Sequence, residues 1–329
     1  MNYYMGVDAG GSKTHCLIVD ARGEPCGIGI SGNGNHQTNA DAENEIAAAC
    51  AQALREAGLR QDEITFAYFG LAGADREPDY RVLRPMIARL QYPRTDIACD
   101  TMIAMRAGSQ ASHGAVVISG TGFNAAARNR DGQELQYGGF GYLFGDGQGS
   151  GRDLANLSFR AAVRAWDLRG PQTLLQELVL RSIGFSSIPE VLDAMLDEGY
   201  EPPLQLAEQV FIAAEAGDAV AEGILREQGA ELGNAAAALI RRLDMEEDHF
   251  DLVLGGSILS KSRTDLMRES LAKRVHETAP YARIRRIVME PVVGAVLSAM
   301  DRDGYVPQDE VVERLKKITI ADRKGELKS

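Results

Sequence analysis

An α/β fold of two similarly opening halves, the second rich in helix, is what this sequence predicts, and three observations carry the expectation. Apolar and β-branched runs of strand length alternate with stretches of helical period along the 329 residues, and such alternation argues for sheets with helices packed on them. The segment Met5-Gly-Val-Asp-Ala-Gly-Gly-Ser-Lys-Thr14 runs an apolar strand into a small-residue turn, and Val116-Val-Ile-Ser-Gly-Thr-Gly-Phe-Asn124 repeats the plan. From 150 to 243 one helical pattern follows another. A chain this long buries a substantial core and fits two domains better than one.

Taken in order, residues 3–8, 14–20 and 26–30 read as short strands separated by the first glycine turn and by Asp20-Ala-Arg-Gly-Glu-Pro25, giving an antiparallel meander. A helix fits 40–57, with Asn39 before it, acids in its first turn and Gly58 beyond its end. A strand at 64–70, a helix at 78–90, a strand at 95–99 and a helix from 101 complete the first half. The second half opens with the strand and turn of 114–122, a strand at 123–128 and the glycine-rich segment 137–151. Helical patterns follow at 150–166, 171–183, 187–197, 203–215 and 217–243; the last, rich in Ala and Leu, suits either a partner surface or the core. A strand at 250–254 ends at Gly255-Gly256, a strand at 282–289 follows, and a helix starts at Pro291. The tail from Gln308 alternates Glu, Lys and Arg and reads as a solvated helix with a frayed end.

Composition narrows the function. Lys and Arg total 35 against 47 Asp and Glu, a net charge of −12. Nucleic-acid binding draws on phosphate neutralisation by basic side chains, so no nucleic-acid partner is expected and a small-molecule substrate is. No stretch resembles a signal peptide or reaches the roughly 18 apolar residues of a membrane span, so no membrane partner and a cytoplasmic location are expected. Cys16, Cys26, Cys50 and Cys99 form no CxxC pair and lie in apolar or helical stretches, which reads as reduced core thiols.

The two glycine turns suit a nucleotide. The first presents Asp8, then Gly10, Gly11, Ser12, Lys13 and Thr14; the second presents Gly120, Thr121 and Gly122. Glycine permits positive φ and close backbone approach, and the cation and hydroxyls donate to phosphate oxygens. Two such turns could hold one triphosphate between them.

With Asp100 at a strand exit, Gly255-Gly256 at another, and Gly138-Gly-Phe-Gly-Tyr-Leu-Phe-Gly-Asp146 between, the chain resembles the sugar-kinase, heat-shock-ATPase and actin superfamily. More narrowly it is similar to the N-acetylglucosamine kinase group of the BadF/BadG/BcrA/BcrD ATPase family, from Tyr4 to about Asp301. The resemblance implies two ribonuclease-H-like lobes of the actin-like ATPase type with a central cleft. The lobes would span 1–110 and 111–290, the second with a helical insertion; helix 291–304 would return to the first, and 305–329 would form a charged tail.

The resemblance also implies roles. Asp8 would face the Mg²⁺ of Mg-ATP through water, since Mg²⁺ gives up its hydration reluctantly; turn capping is its bland alternative. Asp100 would orient the acceptor hydroxyl and take its proton, against a purely structural N-cap. Asn35, Asn124 and Asp146 would hold the sugar with Asp100, an amide offering both donor and acceptor. Around Asp146 the chain departs from the family's Gly-Asp-Glu-Gly-Ser and reads Gly145-Asp-Gly-Gln-Gly-Ser150. His36 and Phe123 lie beside expected ligand positions in sequence but serve equally as packed residues. Gly255 and Gly256 leave room for adenine, though a strand-to-helix turn wants glycine as well. The activity implied is ATP-dependent phosphorylation of an amino sugar, N-acetylglucosamine first, glucosamine or N-acetylmuramate next, by a homodimer. An activator ATPase of a partner reductase is the competing class, but those relatives carry an iron–sulfur cluster held by cysteines, and this chain has none after Cys99.

Overall fold

Small residues end the first strand and let the chain fold back twice, so β1 (Tyr3–Ala9), β2 (Thr14–Asp20) and β3 (Pro25–Ser31) form the expected antiparallel meander. These strands belong to a computed structural model that describes residues 1–260 and 263–320. Helix α1 (Ala42–Ala57) lies directly on β3, where Gly27 and Gly29 leave no room for a Cβ beside the carbonyls of Ala53 and Ala49. Strand β4 (Phe66–Leu71), helix α2 (Glu77–Ala88), strand β5 (Thr95–Cys99) and helix α3 (Asp100–Gly108) follow. The first sheet has the order β3-β2-β1-β4-β5, with β1, β4 and β5 parallel.

The second sheet repeats that connectivity. Strands β6 (Gly114–Ser119), β7 (Phe123–Arg128) and β8 (Glu134–Gly138) form another antiparallel meander, and β6 is joined in parallel by β9 (Asp251–Gly255) and then β10 (Arg283–Arg286). Sequence reading misses β8, because the glycines that follow Tyr137 mask the alternation of Glu134-Leu-Gln-Tyr137.

Between β8 and β9 come the expected helices α4 (Gly151–Trp166), α5 (Leu175–Ile183), α6 (Ile188–Glu198), α7 (Leu206–Glu215) and α8 (Ala219–Arg242). A short α9 (Ser257–Ser260) and α10 (Leu266–His276) precede β10. Helix α10 is also absent from the sequence reading, although Met267, Leu271 and Val275 recur at the spacing of one helix face and are buried. It lies on α8, whose Gly229 and Gly233 let the α10 backbone come close. The small-residue stripe of α8 is therefore core, and the partner-surface alternative for 217–243 is not supported by its packing.

Helix α11 (Pro291–Asp303) packs on the first sheet after the chain has completed the second. A Cβ on Gly6 of β1 would stand 2.5 Å from Val296 N, and Gly294 abuts the Ile103 carbonyl of α3. One apolar cluster thus joins Tyr4, Tyr68, Ile103, Val116, Val253 and Val296 across both sheets. Helix α12 (Asp309–Leu315) departs from the solvated helix expected of the tail. Val311 and Leu315 are buried against the β2–β3 turn, and Tyr305 donates to the Ala21 carbonyl at 2.7 Å. Two apolar residues four apart suffice to dock about two turns of helix. The frayed end expected beyond it lies outside the described residues. No described helix is long and apolar enough to cross a membrane.

Candidate active site

The parallel strands β1, β4 and β5 end at one edge of the first sheet, and that edge collects carboxylates. Asp8 pairs in register with Gly70 of β4, whose next residue pairs with Cys99 at the end of β5. Asp100 follows Cys99 as the first residue of α3. Burial pushes the Asp8 carboxyl up to about 7, and the charges of Asp100 and Glu290 add to the effect. Burial raises Asp100 as well; the Cys99 thiol opposes this by donating to Oδ1 at 3.2 Å, while the charge of Asp75 reinforces it. No side chain caps α3, so the N-cap reading of Asp100 is not what the structure displays.

Glu290, immediately before α11, was missed in the sequence. The crossing of α11 over Gly6 brings it to the end of β1, and its Oε1 accepts from Ile320 N at 3.0 Å. Only the tertiary path could reveal this, since Glu-Pro before a helix is an ordinary start signal. Three carboxylates that repel one another suit a hard divalent cation. Among the described residues no three His, Cys, Asp or Glu side chains stand close enough to chelate one directly, so the donor set fits a hydrated ion.

The first turn is closed by Gly10 N donating to Lys13 O at 2.9 Å, and the Gly10 carbonyl accepts from Gly34 N at 3.0 Å. Gly11, Ser12 and Lys13 are exposed, and Lys13 has no acidic partner among the described residues. Thr14 departs from expectation: it is fully buried and its hydroxyl donates to Gly32 O at 3.0 Å, bracing the loop instead of facing a ligand. In the second turn Gly120 N donates to Gly122 O, while the carbonyls of Gly120 and Thr121 accept from Gly151 N and Arg152 N at the start of α4. Thr121 and Gly122 remain exposed. None of Gly10, Gly11, Gly120 and Gly122 takes a positive φ, so the freedom glycine permits there goes unused. A Cβ at Gly11, Gly120 or Gly122 would meet nothing within 4 Å, so what glycine supplies there is open space over the backbone.

Gly256 is the exception, with φ +83° and its Cα pressed on the Ser119 backbone at the end of β6. That contact accounts for this glycine without a nucleotide. Gly255 makes only ordinary contact with Ile118.

The residues expected at the acceptor are held by different elements. Asn35 accepts from Gln37 N at 2.8 Å and packs on Gly73, where a Cβ would lie 2.9 Å from its Oδ1. Asn124 packs on Gly138, its partner in register. It shares a sheet face with Ala126, which belongs to the cluster formed with α3, α11 and the first sheet, whereas Phe123, Ala125 and Ala127 belong to the cluster under helices α4 to α8 and α10. Asp146 is not brought to that face. Its Oδ2 accepts from Phe140 N at 3.1 Å, and it lines a cavity of about 250 Å³ with Phe123, Tyr137, Glu231 and Asn234. The shift follows the added residue and the left-handed glycines Gly145, Gly147 and Gly149. Phe123 packs, and His36 lies against Asp79 at 3.7 Å, both as packed residues. Cys16, Cys50 and Cys99 are buried and Cys26 half-buried, all of them free thiols.

Two sheets of one connectivity, meeting at an acidic edge and two open glycine turns, define a two-lobed ATPase of the actin type. Residues 5–299 match the BadF/BadG/BcrA/BcrD ATPase family, and the chain belongs to it. It is 28% identical over 304 residues to an N-acetylmuramic acid/N-acetylglucosamine kinase of Clostridium acetobutylicum, covering 91% of this chain and 98% of that one. It is also 28% identical to an N-acetyl-D-glucosamine kinase of Dictyostelium discoideum over 315 residues, with the same coverage. Among solved structures, a candidate N-acetylglucosamine kinase of Chromobacterium violaceum superposes with a TM-score of 0.59 at 22% identity, over 90% of this chain and 98% of that one.

Proposed function

We propose that this protein transfers the γ-phosphoryl group of ATP to the 6-hydroxyl of N-acetylglucosamine, with glucosamine and N-acetylmuramate as the sugars next in line. The observation that carries the reading is the acidic edge, where Asp8 at the end of β1 and Asp100 just after β5 flank the end of β4 and feel each other's charge, together with the two open turns. Asp100 accepts the proton of the acceptor hydroxyl; that oxygen bonds to the γ-phosphorus, and the bond from phosphorus to the β–γ bridging oxygen breaks to release ADP. Its raised carboxyl suits a base that must take and return a proton. Lys13, Ser12, Thr121 and the amides of the two turns bind the phosphates, Asn35 and Asn124 the sugar, and the backbone at Gly255 and Gly256 borders the base. Asp8, with Glu290 nearby, holds Mg²⁺ through water; the ion neutralises charge on the phosphates when bound. The names of the relatives and the family membership support an amino-sugar acceptor. A homodimer is the assembly we expect, to be read by light scattering.

The test is an ADP-release screen over N-acetylglucosamine, glucosamine, N-acetylmuramate, glucose and N-acetylmannosamine. N-Acetylglucosamine is expected to give the largest kcat/KM. ATP hydrolysis that proceeds at one rate whatever sugar is added would replace the kinase with the activator class.

A further inference from the structure

Asp75, in the loop between β4 and α2, takes no part in the reading above, yet its contacts and chain neighbours lead to each group assigned to the acceptor. Its Oδ1 accepts from Gln136 Nε2 at 2.5 Å, across the cleft from β8, and lies 3.7 Å from the Cys99 thiol. The same thiol is 3.2 Å from Asp100 Oδ1, so one S–H separates two carboxylates. On one side, Gly73, two residues before Asp75, carries Asn35 against it. On the other, Gln136 lies two residues before Gly138, which carries Asn124, and on the same sheet face.

Among the described residues Asp75 has no cationic partner. Its partners are a neutral amide and a neutral thiol, both on Oδ1, and no described residue donates to Oδ2. A half-buried carboxylate beside another, without a positive partner, is costly as a purely structural device. Where the lobes do need fastening, charges serve: Arg302 pairs with Asp96 at 2.6 Å and reaches Glu134 at 3.7 Å. A polyol supplies what Asp75 lacks, namely O–H donors on adjacent carbons. Charge repulsion from Asp75 also contributes to the raised carboxyl of Asp100, as expected of groups that share one ligand space.

We infer that Asp75 is a second sugar-binding carboxylate: its free Oδ2 accepts from a ring hydroxyl next to the reacting end of the acceptor, while Gln136 is the positioning residue that fixes its orientation from the opposite lobe. This rests on the kinase reading. The pair would set which sugars are accepted, because a site built to bind a hydroxyl rejects the analogue that lacks it.

The experiment is a cycle of two changes, Asp75→Asn in the protein and removal of one hydroxyl from the sugar, using N-acetylglucosamine and its 3-deoxy and 4-deoxy analogues. Wild type is expected to lose about 10–100-fold in kcat/KM on one analogue. Asp75→Asn should lose about as much on the parent sugar, through KM, with the ATP KM changed by less than about threefold. On that one analogue the variant should lose little more, since the partner hydroxyl is already gone. Gln136→Ala should raise the sugar KM by a smaller factor with the same selectivity, and it stands as the second variant if Asp75→Asn fails to fold. Losses that simply multiply for both analogues, a wild type indifferent to both, or equal rises in the sugar and ATP KM as a loosened cleft would give, overturn the assignment while leaving the kinase intact. A wild type inert towards every amino sugar overturns the kinase reading and this one with it.

Discussion

The turn between β1 and β2 and the turn between β6 and β7 occupy equivalent places in two sheets of one connectivity, but they are supported differently. The first is braced from within its own sheet, by Gly34 N on the Gly10 carbonyl and by the buried Thr14 hydroxyl on Gly32 O. The second is fastened by a helix, with Gly120 and Thr121 giving their carbonyls to the first amides of α4 and Ser119 Oγ donating to Gly149 O at 2.5 Å. The first carries the charge, Asp8 before it and Lys13 on it. The second carries only a hydroxyl and amides. Symmetry of connectivity therefore does not extend to chemistry: the carboxylates and the exposed lysine gather on the first lobe, and the second presents a hydroxyl and amides from a turn whose carbonyls are already occupied.

The comparison would break first at Asp100. Asp100→Asn removes the proposed base and leaves both turns untouched, so turnover should fall by about 10²–10⁴-fold with ATP affinity unchanged; stopped-flow nucleotide binding beside steady-state rates separates the two, and a near wild-type kcat would remove Asp100 from the chemistry. Asp8 comes next. Its carboxyl rests at about 7 in the fold against 3.8 ordinarily, so the cost of burying its charge is absent below about pH 4, where folded and unfolded states are both protonated. It grows to full size as pH rises through about 7. Asp8→Asn should therefore stabilise the metal-free protein at pH 8, by up to about 4 kcal/mol, with the gain vanishing near pH 4. Thermal melts of both proteins across that range check the sign, and a gain that grows on acidification contradicts it.

Glycine substitutions sharpen the contrast between open and packed positions. Gly256→Ala forces a side chain onto the Ser119 backbone at φ +83° and should cost about 3 kcal/mol or more in denaturant unfolding. A Cβ at Gly11 or Gly120 meets nothing within 4 Å; Gly11→Ala and Gly120→Ala should leave stability within about 0.5 kcal/mol and raise the ATP KM by about tenfold or more if phosphate lies over both turns. The smallest effect separates the two threonines. Thr14→Val should lose about 1 kcal/mol of stability with the ATP KM unchanged, whereas Thr121→Val should do the reverse, and a shared response would mean the two hydroxyls play one role.

Much of this was legible in the chain because the signals were local. The period-2 runs around Val7, Ile18 and Val117 and the glycine stops after Asp8 and Ser119 require only near neighbours in sequence, and the strands and turns lie where those residues put them. Asp100 was visible for the same reason, as a carboxylate between an apolar run and a helical one. What was missed was short or masked, such as β8 and α10, or depended on distant chain. Thr14 reads as a phosphate donor until the loop at Gly32 closes over it, and the packing of Gly256 on the Ser119 backbone shows only once β6 is seen beneath it.

The sequence alone thus determined the alternation of elements, the two glycine turns and the acids at strand ends, because propensity, periodicity and turn chemistry act over a few residues. The tertiary structure decided which of those groups face one another. It drew α11 back across β1 to bring Glu290 beside Asp8, turned Asp146 towards α8 and away from Asn124, and set Asp75 against Gln136 across the cleft. These outcomes follow from burying apolar surface between segments far apart in the chain, a long-range balance on which local patterns are silent.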